Sequence, residues 1–139
     1  MKSKAPLSLM EQLVMLLVFA LAAALCLQVF VLSAQMSRRC EARDRAVTQV
    51  QNAAELLKGT GGDFRQCAAQ LGGSAEDGLW QITYDENWVE SETAADYRLT
   101  VTRLPTEYTT LGSAEVCART GSGEFLFGVT VSWQEVTGE

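Results

Sequence analysis

The chain has 139 residues, 47% of them apolar, and 17 acidic against 11 basic side chains give a formal net charge of −6. It contains no histidine, which removes Ser-His-Asp and Cys-His nucleophiles, histidine acid–base chemistry and the commonest metal ligand together. The acid is concentrated after residue 45, where five Lys and Arg face fourteen Asp and Glu, so the field of this part repels nucleic acid phosphate and no nucleic acid partner is expected.

Lys2 and Lys4 make the amino-terminal end basic, and Leu7-Ser8-Leu9-Met10-Glu11 leads into a run from Gln12 to Ser37 without a charged side chain. Leu13 to Leu27 is uninterrupted apolar, Gln28 is the one strongly polar residue, and Val29 to Leu32 resumes the pattern. At about 1.5 Å per residue such a helix exceeds a hydrocarbon core of about 30 Å, so the membrane itself is an expected partner. A helix buried in a soluble domain is usually shorter and keeps a polar stripe, whereas this segment is apolar all round. A cleaved secretory signal is the more serious rival, given the basic start. The apolar run is about twice the usual length for one, and Leu32-Ser33-Ala34 is a poor peptidase site. The segment is therefore read as a retained span. Lys2 and Lys4 before it and Arg38, Arg39, Arg43 and Arg45 after it give the positive-inside rule conflicting votes.

Beyond the span the helical period continues through Met36, Cys40, Val47, Val50, Ala54 and Leu57, which predicts one helix from about Ser8 to Lys58. Its first part is a membrane span and residues 38–58 are its amphipathic continuation. Thr60-Gly61-Gly62 is a break, Asp63 caps a short helix with Phe64, Cys67, Ala68 and Leu71 on one face, and Gly72-Gly73-Ser74 ends it. From Leu79 the period becomes two. Trp80, Ile82 and Tyr84 alternate with polar residues, as do Tyr97, Leu99 and Val101, and then Phe125, Phe127, Val129, Val131 and Trp133. Residues 114–119 form a further strand, joined to the last by Thr120-Gly121-Ser122-Gly123. The expected fold is α+β: a long transmembrane-to-amphipathic helix laid on a small antiparallel sheet of about four strands.

Glu11 has two open readings. Ser8-Leu9-Met10-Glu11 fits a capping box, in which Ser8 is the helix cap and both side chains satisfy free amides at the helix start. Alternatively, removal of the residues before Leu7 makes Glu11 the fifth residue of the mature chain, where a carboxylate entering a bilayer needs a cation. A neighbouring subunit's free amino terminus supplies one.

Leu7-Ser8-Leu9-Met10-Glu11-Gln12-Leu13-Val14 resembles the amino-terminal motif of type IV pilins and of the pseudopilins of type II secretion and competence systems. The likeness covers about the first thirty-five residues; beyond them the order helix, then sheet, agrees. It implies a basic leader, residues 1–6, cut off by prepilin peptidase, with methylation of the new amino terminus at Leu7. It also implies filament assembly through residues 7–37 with other pilin or pseudopilin subunits as partners, and Glu11 as the assembly residue. Pro6 and Leu7 stand at the processing site, where the family usually has Gly and Phe, and the family's helix-kinking proline is absent. The resemblance places the leader in the cytoplasm and the domain from residue 59 to 139 outside a single-pass cell membrane anchor.

An outside domain permits a disulfide, and Cys67 with Cys117 would tie the short helix to the sheet, leaving Cys40 unpaired; Cys117 alternates with Val116 and its facing is open. Cys26 is a small apolar residue of the span. The acidic stretch of Asp85, Glu86, Asn87, Glu90, Glu92 and Asp96 lacks the spacing and glycine of a calcium loop and reads as solvated. Trp88 within it is a candidate exposed contact, while Trp80 and Trp133 belong to the core. No base, nucleophile or ligand set is assembled, so no enzyme activity, cofactor or metal is expected. The expected function is a minor pilin or pseudopilin-like structural subunit. The alternative is an uncleaved single-span protein displaying an acidic binding domain outside the cell.

Overall fold

The computed structural model describes residues 5–135. Helix α1 runs without interruption over Ala5–Gly59, 55 residues, one turn earlier than the sequence pattern set its start. No glycine occurs before Gly59 and no proline lies between Pro6 and Pro105, so nothing in this stretch breaks the hydrogen-bond ladder. Pro6 is the second residue of α1, where a missing N–H costs no helical bond.

The chain divides into two compact units, residues 1–40 and 41–139. In the first, every described residue of α1 from Ala5 to Cys40 is exposed. Its apolar window is long enough to cross a membrane, and none of that window is buried against the rest of the chain. In the second unit the same helix turns amphipathic, and Ala46, Val50, Ala53, Ala54 and Leu57 are buried at helical spacing. Arg45 pairs with Glu41, one turn before it, at 3.3 Å and donates to Asn87 O at 3.5 Å. The helix closes where Gly62 N–H reaches Leu57 O at 2.9 Å, with Gly61 and Gly62 at φ 64° and 85°, a conformation that glycine enters without a Cβ clash.

Helix α2, Phe64–Leu71, starts as expected: the Asp63 carboxylate accepts from the N–H groups of Arg65 at 3.0 Å and Gln66 at 3.3 Å. Phe64 and Cys67 are buried, and Ala68 and Leu71 pack beside them.

The sheet has five strands where the alternation pattern yields about four: β1 Ser74–Glu76, β2 Leu79–Tyr84, β3 Tyr97–Leu104, β4 Leu111–Thr120 and β5 Phe125–Gln134. They lie antiparallel in sequence order, so every connection is local. The additional strand, β1, has three residues, too few to show an alternation. Its signal is Asp77-Gly78, with φ of 48° and 77°, the left-handed pair of a two-residue hairpin turn. The β4–β5 connection is the expected tight loop, closed by Thr120 N–H to Glu124 O at 2.9 Å.

One face of the sheet meets α1 and α2. Trp80, Ile82, Leu99, Val101, Val116 and Ala118 are fully buried there, with Tyr84, Val131 and Trp133 nearly so. Burying a side chain of this kind is worth about 1.5–3 kcal/mol, which makes this layer the main source of stability of the domain. Phe125 departs from the expected alternation. A bulge between Ala118 and Arg119 pairs Phe125 with Arg119, which carries its ring to the opposite, exposed face.

Candidate assembly site

Glu11 is the seventh residue of α1, so it lies in the second helical turn, and the first turn carries no acid. A capping box requires Ser8 at the boundary of the helix, but Ala5, Pro6 and Leu7 are already helical before it. The cap expected at Ser8 is therefore not made. With Ala5 and Pro6 in the helix, Glu11 stands beyond the first turn, where the favourable effect of the helix dipole on an acid fades.

Glu11 shares a shallow strip of the helix surface with Leu7, Ser8, Met10, Val14 and Met15. All six are exposed, and Glu11 has no hydrogen bond or ion pair among the described residues. It is the one charged side chain between Ala5 and Ser37. The site is thus a single carboxylate on an otherwise uncharged, largely apolar helix surface. Pro6 and Leu7, the expected processing residues, lie one turn before it within the same helix.

The cysteines are not brought together. Cys67 sits in the core under α2, with its sulfur 3.2 Å from the Thr60 hydroxyl. Cys117 lies between Val116 and Ala118, which both face the core, so its own side chain is on the other side of the sheet, against Gly128. Both thiols are free, and the expected Cys67–Cys117 bond is not formed because the sheet lies between them. Burial raises the Cys67 pKa; the Thr60 hydrogen bond pulls it down and the charge of Asp63 adds to the rise.

Two carboxylates of the acidic loop accept backbone hydrogen bonds, one from within the loop and one from just past the end of α2. Asp85 Oδ1 accepts from the N–H groups of Asn87 at 2.9 Å and Val89 at 3.0 Å, and Glu90 Oε1 accepts from Gly73 N–H at 2.7 Å. Trp88 is buried rather than exposed. Its ring stacks on Tyr97 with centroids 4.2 Å apart and lies tilted against Tyr84 at 5.5 Å. Tyr84 is pushed up to about 12, first by burial and then by the negative charge of Glu90. Among the described residues no group of three or more acidic or cysteine side chains could hold a metal ion.

Arg103 was not singled out by the sequence pattern. Its guanidinium lies 5.7 Å from the Phe64 ring centroid and 5.8 Å from that of Trp133, donates to Gly62 O at 3.1 Å and pairs with Glu135 at 3.8 Å. It ties the α1–α2 break to the far end of the sheet. Trp133 itself is held close between Gly62 and Gly112; a Cβ at either would come within 2.3 Å of its indole.

No family model matches the chain, and searches of curated proteins and of solved structures find no significant match.

Proposed function

We propose that the chain is a pilin- or pseudopilin-like structural subunit of a cell-envelope filament, anchored and assembled through the first part of α1. The observation that carries this reading is Glu11: one exposed carboxylate near the start of a membrane-length helix, with no partner among the described residues. A charge in that setting is costly unless a cation joins it. The free amino terminus of an adjacent subunit, created by removal of residues 1–6, is a cation of the right kind at the right depth. In this reading the amino terminus starts on the cytoplasmic side, the sheet domain stands outside the membrane, and the span doubles as a packing surface for other helices.

The test is fractionation of cells carrying wild type, Glu11→Ala and Glu11→Gln. All three should enter the membrane, and only wild type should enter the assembled fraction. Normal incorporation of both variants would refute the role of Glu11. A second reading, an uncleaved anchor displaying the acidic domain, draws on Pro6 standing at the cut in place of the family's usual glycine. The intact mass of the membrane-extracted chain separates the two. Loss of Met1 to Pro6 supports the filament subunit, and retention of Lys2 and Lys4 supports the displayed domain.

A further inference from the structure

The face of the sheet turned away from the core carries one arrangement that works against the fold. Arg98 of β3 and Arg119 of β4 are direct partners in the register, so both side chains share this outer face, with Cβ atoms about 4.5–5.5 Å apart. Like charges placed opposite each other in this way destabilise a sheet. Both arginines are exposed, and neither forms an ion pair with an acid among the described residues. Thr83 lies across from Arg98, and Thr100 and Cys117 occupy the next rung of the same face. The nearest acid on this face of β3 and β4 is Glu115, four residues from Arg119 and so about 13 Å along the strand.

The bulge in β5 adds an aromatic ring to the pair. It sets Phe125 across from Arg119 on the outer face, where the ring is 55% exposed and its edge lies over Gly128. The Arg119 guanidinium stands 5.8 Å from that ring's centroid and donates from Nη1 to Gly123 O at 3.4 Å. These two contacts hold the guanidinium in place and leave its charge uncompensated; Arg98 makes neither kind of contact. Two cations and an open ring thus form one patch on a domain whose residues 46–139 carry a net −9. That field repels a polyanion, whether nucleic acid or an anionic membrane. A single carboxylate is attracted once it comes within the screening length of about 8–10 Å, where the local pair dominates.

We propose that Arg98, Arg119 and Phe125 form a binding site for a lone carboxylate on a segment of a partner protein, flanked there by an apolar side chain. The carboxylate lies between the two guanidiniums, whose N–H groups match its two oxygens, and the apolar neighbour lies on the Phe125 ring. Occupation relieves the repulsion that the empty pair builds into the sheet. The site lies wholly within the sheet domain, is separate from Glu11 and does not depend on the filament reading.

The full-length chain in nanodiscs of zwitterionic lipid should be titrated, by fluorescence anisotropy, with a labelled synthetic peptide carrying one Glu between two Leu in a Gly-Ser background. Saturable binding is expected. Arg98→Gln, Arg119→Gln, or Gln for Glu in the peptide should each weaken it by about tenfold or more, the size of a lost charge-assisted hydrogen bond. Arg65→Gln, an arginine of α2, should leave it unchanged. Urea unfolding supplies a readout that a merely structural arginine would not give: Arg98→Gln should hold or raise the midpoint of the free protein, since it removes a repulsion. No saturation by about 1 mM peptide, equal binding of the Gln peptide, or an equal loss in Arg65→Gln would overturn the proposal. So would a lowered midpoint in Arg98→Gln, displacement of the peptide by equimolar inorganic phosphate, or self-association of the chain that Arg98→Gln abolishes, the last two in favour of a free anion and of a second copy.

Discussion

Truncating Leu57 to alanine probes the joint on which the domain depends, the seating of the last turns of α1 on the sheet. Leu57 is fully buried, in one cluster with Val50, Trp80, Ile82, Leu99 and Val101. The substitution removes about three buried carbon groups, worth about 0.8 kcal/mol each, and leaves a cavity that a sheet backed by two helices cannot easily collapse. Together these give a loss of about 3 kcal/mol, a large share of the roughly 5–15 kcal/mol that stabilises a small domain. With an m-value of about 1.5 kcal/mol per molar urea, the midpoint should fall by about 2 M. Urea unfolding of the full chain in detergent, followed by the fluorescence of the buried Trp80 and Trp133, measures this directly. Leu21→Ala, on the exposed part of the same helix, is the internal control and should move the transition by less than about 0.5 kcal/mol. A loss below about 1 kcal/mol at Leu57, or an equal loss at Leu21, would refute the helix-on-sheet core.

Three further outcomes follow from the same geometry. Because the Tyr84 phenol is held up to about 12 while an unfolded tyrosine ionises near 10, its contribution to stability is complete below about pH 10 and lost as pH rises towards 12. Alkaline unfolding should therefore steepen in that window for wild type and less so for Tyr84→Phe, with equal slopes counting against the buried phenol. Alkylation of the unfolded, unreduced protein should modify all four cysteines, and in the folded state Cys67 should react far more slowly than the exposed Cys40, since burial both shields it and disfavours its thiolate. A Cys67–Cys117 peptide pair in a non-reducing digest would contradict the placement of the two thiols. Gly73→Ala should destabilise the domain by more than about 2 kcal/mol in the same urea assay, because φ is 85° there and a Cβ would lie 2.3 Å from Gln81 O.

Much of the architecture was legible because its signals are repetitive. The charge-free run, the spacing of Val50, Ala54 and Leu57, and the alternation through Trp80, Ile82 and Tyr84 each repeat a physical constraint several times. What escaped depends on single residues. β1 hides in three positions and shows itself only through Asp77-Gly78. Phe125 changes face because of one bulge, and Trp88 is drawn inward by Tyr97, which is nine residues away in the chain. The Ser8 cap matched a motif, but a motif cannot state where a helix begins; the helical Ala5 and Pro6 decide that. Arg103 gave no pattern at all, since its partners Gly62, Phe64, Trp133 and Glu135 meet it only in the folded chain.

The claim that α1 is a packing surface set by Glu11 is tested most directly by a photo-reactive residue in place of Leu25, an exposed position of the span. Illumination of intact membranes should yield adducts with neighbouring protein subunits for the otherwise wild-type chain, and those adducts should disappear when Glu11→Ala is added. Adducts with lipid alone, or protein adducts that persist unchanged in the Glu11→Ala chain, would contradict it.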